Sequence, residues 1–211
     1  MIIVQKYNKK LLHEWDSFID ISNNGTIFQK QQFLLYHQHR KFKNCSLIIK
    51  YKGHIIAVIP AAEIIQNKSK CFYWHPGSSY GGIVTKPNIS FKLINEIIIT
   101  LENYLKKNNF SSIFIINSPT IYSLTQNDSL DYLLQWHKYN REENYISHAV
   151  GLNATSSVNQ LLSKRKSRYI QNNKQLQKIE FHKVDISNNL NYINAFYEIL
   201  INSKKTYNIK P

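Results

Sequence analysis

Apolar residues recur at helical spacing in several stretches of the chain. A helical face needs apolar side chains three and four residues apart, and each stretch meets this pattern. A turn at Asn23-Asn24-Gly25 follows the first stretch, and a short strand-like segment precedes a second helix within residues 26–42. The pattern therefore predicts helices at residues 11–19, 89–107, 128–136 and 190–204, in addition to the one within residues 26–42.

Other segments have the Ile- and Val-rich composition of β-strands. Residues 45–51 and 54–65 predict a hairpin closed by Lys52-Gly53, and residues 71–74 predict a third strand. Residues 112–117 are almost continuously apolar, which predicts a buried strand. Further strands are expected at residues 144–153 and 181–184. Helices that alternate with strands around a hairpin indicate a mixed α/β sheet flanked by helices.

A glycine-rich loop follows the third predicted strand. It reads His75-Pro76-Gly77-Ser78-Ser79-Tyr80-Gly81-Gly82 and holds three of the six glycines in the chain. Glycine lets a backbone turn sharply or approach another group closely. Two interpretations stay open, a tight connection between strands and a binding loop held on a rigid scaffold. In the second interpretation His75 contacts a ligand.

The chain carries a formal net charge of +14 over 211 residues. Residues 1–105 hold 13 Lys and Arg against 6 Asp and Glu, and residues 106–211 hold 14 against 7, so each half contributes +7. An even excess favours anionic partners such as phosphates, nucleotides or an anionic membrane surface, and it is weaker evidence for a dedicated nucleic-acid tail.

The remaining composition favours a soluble cytoplasmic protein, which could lie against the inner face of the membrane. Cys45 and Cys71 lie in apolar segments without metal-ligand spacing, as expected for free thiols in a reducing compartment. The first residues do not resemble a signal peptide, and no apolar run reaches the length of a membrane span.

The sequence changes character after residue 153. We expect one domain at residues 1–153 and a second unit at residues 154–211, where a polar helix precedes a strand and a last helix. Residues 164–183 contain seven Lys and Arg and one acidic residue, Glu180. Arg165 and Arg168 share one helical face and could bind a diphosphate. A solvated helix face and a nucleic-acid contact are the alternatives.

No established catalytic motif stands in the chain. The HExxH, Walker A, GxSxG and GxGxxG patterns are all missing. His37 and His39 are two residues apart on a predicted helix and point to different sides, so no metal site is predicted. Glu63 is a candidate base because it follows a core strand, and a solvated edge residue is the equal alternative. The catalytic residue stays unknown at this point.

Several segments together resemble the FemAB-like branch of the GNAT acyltransferase superfamily, which includes BioF2-like acetyltransferase domains. Trp15-Asp16-Ser17-Phe18 with the following Gly25-Thr26-Ile27-Phe28 is similar to the opening helix and turn of that family. Residues 57–61 resemble its Pro-containing core strand, and Ser79-Tyr80-Gly81-Gly82 resembles its Asp-Tyr-Gly-Gly loop, with Ser79 in place of the acid. Residues 164–171 and Ala195-Phe196-Tyr197 resemble two later helices.

The resemblance implies a GNAT-like domain followed by the beginning of a second one. It implies transfer of an acyl group from acyl-CoA or aminoacyl-tRNA to an amine on a nucleotide- or lipid-linked amino sugar, a precursor of the cell envelope. The substrate-binding residues would be Tyr80, Gly81 and Gly82 on the acceptor side, and Arg165 and Arg168 at a phosphate. No metal is implied, and no nucleic acid apart from aminoacyl-tRNA.

Two departures from the family leave other functions open. The pyrophosphate loop of GNAT enzymes, Arg/Gln-x-x-Gly-x-Gly/Ala, is not found in these residues. Family members are also much longer, so we expect the second unit to be incomplete; an acyltransferase is the favoured interpretation, and whether this chain alone is active stays open. A binding module for a phosphorylated ligand or a partner is the first alternative, and a basic nucleic-acid-binding protein is the second.

Overall fold

The computed structural model describes residues 2–37, 42–142 and 190–206. The chain divides into two units, Met1–Ala149 and Val150–Pro211. In the first unit the helices are α1 (Leu12–Ile21), α2 (Gln31–Leu34), α3 (Phe91–Lys107) and α4 (Ser129–Trp136). Its strands are β1 (Ile2–Lys6), β2 (Lys43–Asn44), β3 (Leu47–Tyr51), β4 (His54–Ile59), β5 (Ala61–Gln66), β6 (Ser69–Trp74), β7 (Val84–Thr85) and β8 (Ser112–Phe114). The predicted mixed α/β architecture is confirmed.

The strands form two four-stranded sheets. One has the order β1-β3-β4-β7 and is antiparallel throughout, and the other has the order β2-β5-β6-β8 with a parallel β6–β8 pair. The predicted hairpin turn is confirmed, since Lys52 and Gly53 both have positive φ, at 49° and 82°. Positive φ at both central residues suits the right-handed twist of the flanking strands.

The predicted strand over residues 54–65 is in fact two strands, one in each sheet. Pro60 stands between β4 and β5 and has no N–H to donate to a neighbouring strand. Beside the break, the Ser46 hydroxyl accepts from the Ala61 N–H at 3.0 Å, in place of a backbone partner. The single apolar run therefore passes from one sheet to the other at Pro60.

Helices cover both faces of the first sheet. Trp15, Phe18 and Ile19 of α1 pack with Ile48 and Val58 on one face. On the other face, the alternate residues of β3 and β4 pack against α3, whose buried side chains recur at helical spacing. The strand residues are Leu47, Ile49, Ala57 and Ile59, and the helix residues are Ile94, Ile97, Ile98, Leu101 and Leu105. Each fully buried aliphatic side chain contributes about 1.5–3 kcal/mol by leaving water. Strand alternation thus explains both apolar layers.

Three expectations of the first unit need correction. Thr26 does not open a strand; it caps a 3-10 turn at Ile27–Gln29, because its side chain and that of Gln29 form a reciprocal capping box. The second helix is short, since α2 ends at Leu34 and a further 3-10 turn follows. The strand predicted at residues 112–117 is not fully buried: Ser112 is exposed and residues 113–117 are half-buried, because β8 is the outer strand of its sheet, and only three of these residues form β8.

In the second unit, a helix α5 (Leu190–Thr206) is described, as predicted. Several of its large apolar side chains are exposed, among them Tyr192, Phe196 and Ile199. The predicted polar helix that carries Arg165 and Arg168 lies outside the described residues, as do the predicted strands at residues 144–153 and 181–184. The domain boundary at residue 153 stays a prediction. Throughout the described part, each helix is too short or too polar to cross a bilayer.

Candidate functional site

The glycine-rich loop joins the two sheets. It leaves β6, which pairs with β5, and it enters β7, which pairs with β4. Three hydrogen bonds fasten it: Gly81 N–H donates to Ile116 O at 2.8 Å, the Ser78 hydroxyl donates to Phe28 O at 2.7 Å, and the indole N–H of Trp74 donates to Ser78 O at 3.3 Å. The loop is therefore a packed element of the fold.

Gly81 and Gly82 are required by the packing of the loop. A Cβ on Gly81 would lie 2.8 Å from the Cβ of Trp74, and one on Gly82 would lie 1.9 Å from Oδ1 of Asn117 and 2.9 Å from its Cα. Both glycines are buried. The room that they leave is filled by neighbouring parts of the chain, and their predicted contact with substrate stays a prediction.

Tyr80 belongs to a row of aromatic rings beside the loop. Its ring centroid is 5.6 Å from that of Phe28 and 6.2 Å from that of Tyr122. Phe28 in turn contacts Phe33 edge-on, and Phe33 lies 6.4 Å from Tyr36. Burial raises the pKa of Tyr80 above its ordinary value of 10.0, with a smaller contribution from Tyr122. Tyr80 is therefore a neutral phenol at physiological pH.

His75 lies inside the fold and is only 5% exposed. Its Nδ1 is 3.1 Å from Pro76 O, and its ring contacts Phe42 edge-on at 5.3 Å. These contacts place His75 in the interior of the fold, and its predicted contact with a ligand stays a prediction. Arg165 and Arg168, the predicted phosphate-binding pair, lie outside the described residues.

A polar groove opens directly beside the glycine-rich loop. It lies at the ends of β7 and of the segment that follows β8, opens to solvent and has a cavity volume of about 30 Å³. Its lining is mostly uncharged and hydrogen-bonding: Asn23, Asn24, Thr85, Ile94, Asn117, Ser118, Thr120, Ser123, Asn127, Leu130 and Asp131. Open α/β sheets commonly bind ligands at strand ends. We define this groove by these residues and take it as the candidate site.

Asp131 is the one charged side chain in the lining of the groove. It lies in the first turn of α4, where the positive end of the helix dipole favours a carboxylate. Its Oδ1 accepts a hydrogen bond from Nδ2 of Asn117 at 3.1 Å. Among the described residues it forms no ion pair with Lys, Arg or His. The groove therefore presents a carboxylate that is positioned by an amide and open to a cationic ligand.

Hydrogen bonds between distant segments hold the walls of the groove. The Asn23 side chain donates to Thr125 O at 3.1 Å and accepts from its N–H and hydroxyl at 2.9 and 2.8 Å. The Asn24 side chain donates to Ile83 O and accepts from Thr85 N–H, both at 2.9 Å. These amides are used by the fold, so the groove is formed before any ligand arrives.

The Trp-Asp motif of α1 also supports the groove. Trp15 is fully buried and donates its indole N–H to Gln29 O at 2.8 Å. Gln29, 1% exposed, donates from Nε2 to the hydroxyl of Ser118 at 2.7 Å. Asp16 accepts from the N–H groups of Gln31 and Gln32 at 2.6 and 3.2 Å. Two segments singled out from the sequence are thereby linked to a groove residue.

Glu63, the candidate base, lies elsewhere. Its carboxylate contacts Nζ of Lys43 at 2.7 Å and of Lys70 at 3.2 Å, and the hydrogen bond from Lys43 is the largest cause of its lowered pKa. A carboxylate stabilised in this way is a weak base. Elsewhere in the described ranges, no group of three or more His, Cys, Asp or Glu is arranged to hold a metal ion.

The sequence interpretation missed Asn117 and Asp131. A signal was present, since Asn117 and Ser118 are the first polar residues after the apolar run at residues 113–116. Polar side chains at the end of a strand often line a site. Asp131 gave no comparable signal, because acidic residues are common in the first turn of any helix.

No protein-family model matches the chain, and no curated protein matches it. Solved structures of acetyltransferases are similar over about 72% of the chain. An aminoglycoside 6'-N-acetyltransferase from Acinetobacter haemolyticus has 11% identity, 99% of its own chain covered and a TM-score of 0.42. A ribosomal-protein-alanine N-acetyltransferase from Brucella melitensis has 11% identity, 100% coverage and a TM-score of 0.44. Similarity at this level assigns no activity and no residue role to the chain.

Proposed function

We propose that the chain is an N-acyltransferase that moves an acyl group from a thioester to a primary amine, with the amine bound in the groove. The observation that carries the proposal is the single charged lining residue, Asp131, in an otherwise neutral polar groove. A carboxylate of this kind attracts an ammonium ion and hydrogen-bonds the amine after it loses its proton.

The reaction needs a few groups in the right places. The ammonium first loses a proton, and the free amine then attacks the thioester carbonyl carbon. A C–N bond forms, the C–S bond breaks, and a proton reaches the departing thiolate. Placing the amine against the thioester supplies much of the rate enhancement without a covalent intermediate. Asp131 would hold the ammonium ion and then the amine through their N–H groups, and the first proton would pass to water.

The FemAB type, the amino-sugar acceptor and the acyl-CoA donor are finer parts of the proposal. They are supported by the resemblance of the sequence segments described above, with aminoacyl-tRNA as the alternative donor. A binding module for a phosphorylated ligand gains no support from the groove, because its lining contains no Lys or Arg.

The test is thiol release from acetyl-CoA by the full 211-residue chain, measured with a panel of primary amines that includes glucosamine. Asp131→Asn should lower kcat/KM for the amine by about 10- to 100-fold, the effect of losing one charge-assisted hydrogen bond. Asp128→Asn is the matched control, because Asp128 is exposed on the same helix end and lies outside the groove lining.

Two results would contradict the proposal. One is thiol release no faster than the uncatalysed rate with every amine and both acetyl-CoA and longer acyl-CoA donors. The other is an equal effect of the substitutions at Asp131 and Asp128, which would leave the groove without a role in amine use.

A further inference from the structure

The side-chain amide of Asn117 lies between the glycine-rich loop and the carboxylate of the groove. Its Nδ2 donates to Asp131 Oδ1 at 3.1 Å. Its Oδ1 faces Gly82 so closely that a Cβ there would lie 1.9 Å from it. Only a glycine at position 82 leaves room for the amide in this place.

The orientation of this amide is set by Asp131. Turned the other way, the amide would bring its oxygen against a carboxylate, so two acceptors would meet. In the observed orientation Oδ1 is buried without a hydrogen-bond partner. A buried acceptor with no partner is unfavourable and rare in folded proteins. In the folded protein, Asn117 Oδ1 is therefore left without a hydrogen bond, while Asn117 Nδ2 donates to Asp131.

We infer that Asn117 is a positioning residue, which fixes the Asp131 carboxylate for an ammonium ion and is itself held by Gly82. The inference rests on the proposed function, since the ammonium is that of the acceptor amine. It also gives the glycine-rich loop a different role from the predicted one. The loop acts on the amine through Asn117, and it need not touch the amine itself.

A purely structural role for Asn117 leads to a different expectation. Leucine has nearly the shape of asparagine, and Asn117→Leu removes the unpartnered oxygen together with the hydrogen bond to Asp131. The lost bond leaves the half-buried Asp131 carboxylate to water, and the removal of a buried oxygen without a partner offsets its cost. A structural role predicts a less stable protein, whereas a positioning role predicts a protein of unchanged stability that binds amines poorly.

The experiment compares Asn117→Leu with the unsubstituted chain in three measurements. We expect a melting temperature that is unchanged or higher, an amine KM raised about tenfold with an unchanged KM for acetyl-CoA, and a dissociation constant for ethylammonium, from NMR titration, weakened by a similar factor. Asn103→Leu is the control, because Asn103 is exposed on α3 and lies outside the groove lining; it should leave both amine measurements unchanged and should not lower the melting temperature.

The ethylammonium titration and the melting temperature test the role of Asn117 even if no acyl transfer is observed. If the unsubstituted chain consumes no thioester, the proposed function fails, and the ethylammonium titration alone judges Asn117. The inference is overturned if Asn117→Leu binds ethylammonium normally, or if it melts more than a few degrees lower. It is also overturned if Asp131→Asn leaves ethylammonium binding unchanged, because Asn117 would then not act through Asp131.

Discussion

Asp16→Ala should destabilise the first unit, because it removes a buried acceptor from two backbone donors. Asp16 is 8% exposed, and its oxygens accept from Gln31 N–H at 2.6 Å and from Gln32 N–H at 3.2 Å. Together these bonds cap the short helix α2 through a residue of α1. Without the carboxylate, the first turn of α2 has no side-chain acceptor.

The size of the effect follows from the burial of the two donors. Gln31 is 2% exposed, so its N–H would lose a partner without gaining water, at a cost of about 1–3 kcal/mol. Gln32 is exposed, so its N–H can bind water and costs less. We expect a total loss of about 2–4 kcal/mol from Asp16→Ala, which includes the lost contribution of the cap. Asp16→Asn keeps one oxygen and should lose about half as much.

The assay is urea unfolding followed by tryptophan fluorescence, in which the buried Trp15 reports on this region. Asp20→Ala is the matched control on the same helix. Its side chain is 60% exposed and pairs with Lys30 at 2.6 Å, so we expect a loss of at most about 1 kcal/mol. Free energies for Asp16→Ala and Asp20→Ala that agree within about 0.5 kcal/mol would refute the capping argument.

Two further predictions follow from shifted pKa values. Because Lys43 and Lys70 lower the pKa of Glu63 below its ordinary 4.5, its ion pairs stabilise the fold above that pH, and the contribution is lost as the pH falls through the lower folded value. Glu63→Gln should therefore lower the melting temperature at pH 7 and have a smaller effect near pH 3; a difference independent of pH would contradict this. Burial raises the pKa of the Cys45 thiol to about 12, so the native protein should react with iodoacetamide at Cys45 far more slowly than the urea-unfolded chain does. Equal rates would show that the thiol is accessible.

Helix α3 was predictable because a single face of it is buried. Ile94, Ile97, Ile98, Leu101 and Leu105 fall on one face of α3, and Ser90 caps its first turn. The periodicity of apolar residues alone locates such a helix to within two residues. The strand break at Pro60 was visible in the sequence but was outweighed by the apolar residues on both sides, which continue across both sheets.

The turn at Thr26 was mispredicted for a different reason. Thr, Ile and Phe favour strands by composition, yet Gln29 three residues later completes a capping box with Thr26. Local side-chain hydrogen bonds therefore decided the backbone conformation against propensity. A capping box is readable from sequence, so this error could have been avoided.

The groove was less predictable than the fold. The glycine-rich loop was singled out, but its partners were not, because Asn117 and Asp131 come from segments 35 or more residues further along the chain. The closeness of Gly82 to Asn117 depends on how β6, β7 and β8 are placed, and apolar periodicity does not encode that placement. Sequence patterns located one wall of the site, and the packing of the sheets supplied the other.

The side chain of Asn24 has a consequence for how copies of the protein behave in a crowded solution. β7 is an outer strand, and three backbone groups at this edge bond to residues outside the sheet: Ile83 O, just before the strand, and the N–H and O of Thr85. The Asn24 side-chain amide donates to Ile83 O and accepts from Thr85 N–H, as the backbone of a neighbouring strand would. The Asn23 N–H donates to Thr85 O at 2.8 Å. Unpaired strand edges invite strands of other molecules and lead to aggregation. Two asparagines thus close this edge to intermolecular β-pairing.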